Sequence, residues 1–317
     1  MLSVDRLRVL HAIAVHGSLS SASKALHVTN SAVSQQLTKL EREVGQRLVE
    51  RNGRGVRLTN AAELLVDHTS RILSLVQRAE ADLEAHRDDV TGHLRLSATP
   101  TAVRGLLPRA LPALREAHPG LRVELYEEEP HESVPTMLRG EADLAMVVDW
   151  VGRPLRLPEG MTRAPLMEDV GDIALPADHP LAHRELLELD EILDLPWISW
   201  GRGSICDDWL HDIIRGRDGE PNVVHNVEEH QTKLALIAAG IGAAVMPRLG
   251  RGPLPEGVRV VPVQPALVRQ VYVFWRTDAS RRPAIRAVVR ALREAAAHLT
   301  DQRPLPVSGP VGAARQG

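Results

Sequence analysis

Thr29-Asn30-Ser31-Ala32-Val33-Ser34-Gln35-Gln36-Leu37-Thr38-Lys39-Leu40-Glu41-Arg42-Glu43-Val44-Gly45 is the stretch around which the chain is organised. Val33, Leu37, Leu40 and Val44 recur at spacings of four, three and four, which stacks them on one face of a helix. Thr29 suits the N-cap, because its hydroxyl can accept a bond from an orphan amide of the first turn. Gly45 suits the stop, because glycine tolerates the left-handed turn that ends a helix. The opposite face carries Ser31, Ser34, Gln35, Thr38 and Arg42 and no carboxylate. Hydroxyls, amides and arginine fit a phosphate-lined groove and can pair with base edges.

The flanks extend this reading. A shorter helix, roughly Leu19 to Leu26, precedes the stretch with Ala22, Ala25 and Leu26 inward, and His27-Val28-Thr29 has the length of a helix-turn-helix elbow. A first helix, about Val4 to Val15, places Leu7, Leu10, Ile13 and Ala14 inward to support the pair. After Gly45, Asn52-Gly53 between two short apolar segments signals a hairpin turn, and the hairpin carries Arg51, Arg54 and Arg57 as a basic wing. Up to Leu58 there are nine basic and four acidic side chains, a local charge of +5 in a chain of −3. A basic module on a more acidic body is the footprint of nucleic-acid binding. The alternative for these residues is a basic three-helix domain that binds protein.

Residues 7–63 resemble the winged helix-turn-helix of LysR-type transcriptional regulators. The resemblance rests on H-G-S-L-S-S-A-S-K-A-L-H-V-T, on S-A-V-S-Q-Q-L-T-K-L-E-R-E-V-G-Q-R-L-V-E-R and on V-R-L-T. Asn30 stands where the family has glutamine, Val49 where it has phenylalanine, and Asn60-Ala61-Ala62 replaces x-Ala-Gly. An asparagine still pairs with adenine but reaches less far. The expected DNA contacts are Ser18, Ser20, Thr29, Asn30, Ser31, Ser34, Gln35, Thr38, Lys39, Arg51, Arg54 and Arg57.

From Asn60 to about Asp88 there is no proline or glycine. Ala61, Leu65, His68, Ile72, Leu75 and Ala79 alternate at four and three, a heptad seam on a helix about 45 Å long. The expected role is dimerisation through Leu65, Ile72 and Leu75, as the resemblance also implies. The other reading is a helix lying on its own body.

Beyond Thr91-Gly92-His93 the pattern becomes α/β. Expected are a strand Leu94–Ala98, a helix Pro108–His118, a strand Leu121–Glu127, a helix Val134–Arg139 and a buried strand Asp143–Val148. A second unit restarts near Glu168, with strands at Val170–Leu175, Trp197–Trp200, Asn222–Val227 and Ala243–Pro247 and helices at Asp207–Arg215 and Glu229–Ala239. A strand Gln270–Arg276 and a helix Pro283–Leu299 then return to the first unit. The phrases G-E-A-D-L-A-M-V, D-H-P-L-A and A-L-I-A-A-G-I-G-A-A-V-M-P resemble the effector domain of the same family, itself similar to periplasmic binding proteins.

The fold class is therefore α/β with an N-terminal all-α winged helix-turn-helix, a long linker helix and a two-lobed, periplasmic-binding-protein-like effector domain. Its expected divisions are 1–58, 59–90 and 91–299, with lobes at about 91–165 plus 268–299 and at about 166–267. A disordered tail is expected over 300–317, which has Pro, Gly, Ser and Gln and no periodicity. In an open α/β pair, strand C-termini and helix N-termini face the cleft. Its expected lining is Ala98, Thr99, Pro100 and Thr101 from one unit, and Ser199, Trp200, Gly201, Arg202, Gln231 and Thr232 from the other. In the family, matching loops contact the co-inducer. Arg202 and two free helix N-termini favour an anionic ligand, and Trp200 allows an aromatic one.

Catalysis finds no support. Gly240-x-Gly242 follows a helix and precedes a strand, the reverse of a dinucleotide loop, and no G-x-S-x-G elbow occurs. His225, Glu228, Glu229 and His230 match no zinc spacing. The one cysteine, Cys206, lacks a resolving partner and reads as structural. No cofactor, metal or enzyme activity is expected. The N-terminal segment lacks a continuous apolar signal core, and Leu234–Met246 is too short to span a bilayer. The expectation is a cytoplasmic regulator of operator DNA with no membrane association, a dimer or dimer of dimers that answers to a small-molecule effector. RNA polymerase is a further candidate partner. The alternative is a ligand carrier or enzyme with a basic interaction module.

Overall fold

A computed structural model describes residues 2–26, 28–52, 55–87, 90–217 and 219–302. The chain divides into two compact units. One is built chiefly from Met1–Asp89, the other from Val90–Ser280 and the residues from Ala284 on.

In the first unit α1 (Val4–His16), α2 (Leu19–Ala25) and α3 (Asn30–Val44) pack around Leu7, Leu10, Ile13, Ala22, Val33, Leu37 and Leu40. Ser18 caps α2 by accepting from Ser21 N–H at 3.0 Å, and Thr29 caps α3 by accepting from Ala32 N–H at 3.2 Å. Gly45 ends α3 in the left-handed region at φ 73°. Strands β1 (Val49–Asn52) and β2 (Gly55–Leu58) pair antiparallel, with Glu50 opposite Arg57. The Glu41 carboxylate accepts from Leu48 N–H at 2.8 Å, which ties α3 to the hairpin.

Helix α4 (Asn60–Arg87) starts on Thr59, whose hydroxyl accepts from Ala62 N–H at 3.2 Å. The expected seam is not a single line. Leu65 and Ile72 are half-buried and pack on the core of their own unit. Leu75 is 66% exposed, and Leu64 is 64% exposed although it lies outside the expected heptad. Eleven residues separate Leu64 from Leu75, about three turns, so they fall on one line of the helix. The sequence pattern merged an intramolecular stripe with an outward one.

The second unit opens with β3 (Gly92–Ala98), α5 (Pro100–Ala117), β4 (Leu121–Glu127), α6 (Pro130–Leu138) and β5 (Leu144–Trp150). Helix α5 begins eight residues before the expected Pro108. Pro100 occupies its first turn, where no N–H is needed. Pro108 and Pro112 lie on the exposed side, where water can reach the carbonyls they leave unpaired, so the helix continues. Pro135, also exposed, sits inside α6, which starts at Pro130 rather than Val134.

Next come β6 (Met161–Pro176), β7 (Leu187–Glu188), β8 (Trp197–Ser199), α7 (Ile205–Arg215), β9 (Val223–Asn226), α8 (His230–Ala238), β10 (Ala244–Pro247), β11 (Val258–Val261), β12 (Val263–Gln264), β13 (Leu267–Arg276) and α9 (Pro283–Gln302). The main sheet runs β10-β6-β13-β5-β3-β4, with β11 also on β6. Strands β4, β3 and β5 are parallel, while β13 is antiparallel to both β5 and β6.

Strand β6 is sixteen residues long and begins nine residues before the expected Val170. Its first part pairs with β13 and its last part with β10 and β11, so β6 passes from one lobe into the other. A register shift between Val271 and Tyr272 falls opposite the segment that contains Pro165, which suits a residue without an N–H. The bulge and proline broke the alternation that a strand reading needs. One lobe closes around Leu96, Leu106, Met146, Phe274, Ile285 and Leu292, the other around Ile173, Trp197, Trp209, Leu210 and Val245. Helix α9 runs through the expected tail residues Thr300 to Gln302, and residues 303–317 lie outside the described residues.

Candidate functional site

On the first unit, the outer face of α3 is open. Asn30, Ser31, Ser34, Gln35, Thr38 and Lys39 are all exposed, as are Ser20, Thr29 and Arg57. Thr38 donates to the Ser34 carbonyl at 2.9 Å and Ser18 donates to Ser21 Oγ at 2.8 Å, so their hydroxyl protons are engaged. The Gln35 amide projects from the middle of this face with hydrogen-bonding capacity to spare. The side chain of Arg51 and all of Arg54 lie outside the described residues.

On the second unit, the cleft between the lobes gathers charge. Arg269 on β13 forms a 2.7 Å ion pair with Asp169 on β6, both side chains 3% exposed. Its Nη2 also donates to Thr101 Oγ1 at 3.0 Å, while Asp169 accepts from Leu249 N–H at 2.9 Å. Lys233 on α8 is buried, and its ammonium lies over the Trp200 ring, 4.2 Å from the centroid. Lys233 Nζ makes no hydrogen bond or ion pair among the described residues. Burial pulls its pKa down to about 8, opposed by the neighbouring Cys206, Glu129, Glu228 and Asp207. Burial, then Glu228, push the Glu129 carboxyl up, while Arg269 and Lys233 pull it down. These groups come from both lobes and feel one another, so the cleft is one electrostatic site.

The expected lining divides. The Thr99 hydroxyl at the start of α5 is buried and has no hydrogen-bond partner among the described residues. Thr101 and Trp200 belong to the charged cluster. Ala98 is fully buried in the lobe core, and Pro100 fills the first turn of α5. Ser199 is also fully buried, its hydroxyl donating to Asp207 Oδ1 at 2.5 Å. Arg202 is exposed and donates to Asn226 at 3.2 Å. Gln231 and Thr232 are exposed at the start of α8, where the expected free N-terminus is already filled. The Glu229 carboxylate accepts from Gln231 N–H at 2.8 Å and from Thr232 N–H at 2.5 Å, which holds its pKa below the usual range. A sequence scan that reads capping residues as helix starts cannot tell a free N-terminus from one closed by its own carboxylate.

Comparison with known proteins agrees with this arrangement. The chain matches the family model "Bacterial regulatory helix-turn-helix protein, lysR family" over residues 4–63 and "LysR substrate binding domain" over residues 87–297. The chain belongs to the LysR family.

It is thus a LysR-type transcriptional regulator with an effector-binding domain, and the family is one of regulators rather than enzymes. A probable RuBisCO transcriptional regulator of Chlorokybus atmophyticus is 29% identical over 68% of this chain and 68% of that protein. In the corresponding protein of Synechocystis sp. the identity is 33% over 62% of this chain and 56% of the relative. The regulator TtuA of Agrobacterium vitis is 27% identical over 83% and 86%. A full-length OxyR variant from Pseudomonas aeruginosa shares the fold with a TM-score of 0.71, at 22% identity over 92% of this chain and 98% of that one.

Four residues of the LysR regulator's cleft escaped the sequence reading: Glu129, Asp169, Lys233 and Arg269. The signal for Lys233 was present, a lysine within the apolar run of α8. Arg269 sat one residue before the expected strand, and Asp169 lay in the part of β6 hidden by the bulge. Cys206 accepts from Trp150 Nε1 at 3.2 Å inside the lobe core, and burial pushes its thiol up to about 11. Such a thiol is nearly all protonated at neutral pH. Among the described residues no three His, Cys, Asp or Glu side chains are placed to hold a metal, and no helix is long and apolar enough to cross a membrane.

Proposed function

We propose that this regulator binds operator DNA through α3 and the β1–β2 hairpin and senses a small anionic effector in the cleft of residues 91–299, with lobes at about 91–165 plus 268–299 and at about 166–267. It acts in the cytoplasm as a dimer or dimer of dimers joined through the 59–90 linker, and RNA polymerase is the partner through which DNA occupancy would reach transcription. The observation that carries the effector reading is Lys233. A buried ammonium without an ion pair is costly, and a ligand carboxylate or phosphate would supply the missing partner.

The test is a thermal-shift screen of metabolites on the full chain, followed by titration calorimetry. Lys233→Met is expected to weaken the anionic effector by about tenfold or more while leaving effector-free operator binding unchanged. The pH dependence has a definite sign. Lys233 is charged below its pKa of about 8, so affinity is highest there and falls as the pH rises through that value. A bound anion favours the charged form, so binding near pH 8 takes up protons. Wild-type affinity in Lys233→Met would move the anion away from α8.

On the DNA side, Gln35→Ala is expected to cost about 1–3 kcal/mol at the true operator and little on unrelated DNA. Arg57→Ala is expected to weaken both alike and to flatten the dependence on salt. Gel shifts with the intergenic DNA beside the gene, at several salt concentrations, measure both. Equal loss on every sequence for Gln35→Ala would sink its assignment as a base reader.

A further inference from the structure

The crossing strands have two faces, and the effector cleft uses one. Residues directly opposite in an antiparallel pair share a face, and neighbours along a strand alternate. Arg269 stands opposite Asp169 on β6 and Trp150 on β5. Gln270, the next residue, stands opposite Glu168 and Asp149, and Tyr272 stands opposite Pro165. The bulge lets Pro165 and Glu168, three residues apart, serve this same second face. A cavity of about 500 Å³ opens there, with Asp149, Arg163, Gln270 and Tyr272 as its polar groups and Pro154 and Pro165 in its apolar wall. Trp150, whose ring lies beneath Arg269, borders the cavity as well, but none of Thr99, Thr101, Lys233 or Arg269 lines it.

Its polar groups are not used up by the fold. Tyr272 is 3% exposed, and its hydroxyl lies between Asp149 and Arg163, close enough for both to act on it but without a well-formed hydrogen bond among the described residues. Asp149 is 5% exposed and takes the Leu155 N–H at 3.0 Å through Oδ2. The Arg163 guanidinium lies over the Tyr272 ring, 5.6 Å from its centroid, and forms no ion pair with Asp149 or with any other described residue. Gln270 donates to Glu168 at 2.7 Å, which leaves its carbonyl oxygen as an acceptor. A guanidinium and a carboxyl that share a cavity without joining each other match a molecule carrying both opposite charges.

We infer that this cavity is a second ligand site, behind the effector cleft, and that it takes a small zwitterion of the α-amino acid class. The ligand carboxylate accepts from Arg163 and from the Tyr272 hydroxyl. The ligand ammonium donates to Asp149 and to the Gln270 carbonyl. Burial pushes the Asp149 carboxyl up, and an ammonium beside it would restore the charged form. Because Arg269 and Gln270 are adjacent on one strand, an occupant here grips the same strands that the cleft ligand grips from the other side.

The experiment is calorimetric titration of the full-length protein with each proteinogenic L-α-amino acid, and with the amine and the carboxylic acid that each becomes on losing one charged group. At least one amino acid is expected to bind, with both one-charge analogues about tenfold weaker or more. Arg163→Gln and Tyr272→Phe are expected to lose that binding, and Lys233→Met to keep it. Arg163 is exposed, so its replacement leaves the fold intact and keeps the test clean. No binding by any amino acid overturns the proposal. So does binding that survives in Arg163→Gln, or that disappears in Lys233→Met, which would place the ligand in the effector cleft instead.

Discussion

Arg269→Met is expected to remove about 3–5 kcal/mol from the stability of the effector-binding unit. The reason is what remains behind. Asp169 would stay buried with the Leu249 N–H as its one remaining hydrogen-bond donor among the described residues. An uncompensated buried carboxylate costs far more than the loss of a surface ion pair, which is worth about 0–1 kcal/mol. Thr101 would lose its donor as well. Urea unfolding of the full chain, followed by tryptophan fluorescence, measures the change. The double variant Arg269→Met with Asp169→Leu is expected to recover much of the loss, because it removes both charges at once. A single variant within about 1 kcal/mol of wild type would show that the pair does not hold the crossing strands together.

Leu75→Glu is expected to turn the proposed dimer into monomers and to lower operator affinity by about 10²–10⁴-fold, the advantage a second tethered half-site confers. Leu75 is the informative position because its side chain is 66% exposed in the single chain. Ile72→Glu would also put a carboxylate against the helix-turn-helix core, so its effect would mix folding with assembly. Light scattering at several protein concentrations and a gel shift on one operator decide the matter. A Leu75→Glu protein that remains a dimer would place the main interface elsewhere.

These two residues show where the sequence was legible and where it was not. The recognition helix could be read because cap, stop and apolar spacing all sit within seventeen residues, and each is a local preference. The β-α-β-α-β order of the first lobe was legible for the same reason. Ile72 and Leu75 could not be separated, because heptad spacing says which side chains share a stripe and not which body covers it. Met161 to Asp169 were missed because a proline and a bulge erase the alternation that marks a strand. Lys233 and Arg269 were missed because their meaning comes from groups far along the chain, Glu129 and Asp169. Arg202, a charged residue in a loop, looked like the anion seat, and the structure gives it an amide partner at the surface.

The passage of β6 from one lobe into the other, with β13 paired along its first part, has a mechanical consequence. Two hydrogen-bonded strands resist in-plane bending, which would stretch their ladder, but they yield to twisting about their length, the deformation every sheet already carries. Opening and closing should then be a torsion, with the strands as the axle. Separations measured close to the axle, such as between Asp169 and Thr101, should hardly change with ligand. Those at the far rims of the lobes should change most, in proportion to their distance from the axis. Spin labels placed along one lobe at increasing distance from β13 would read that gradient as a slope, and a uniform displacement at every position would mean the lobes slide instead.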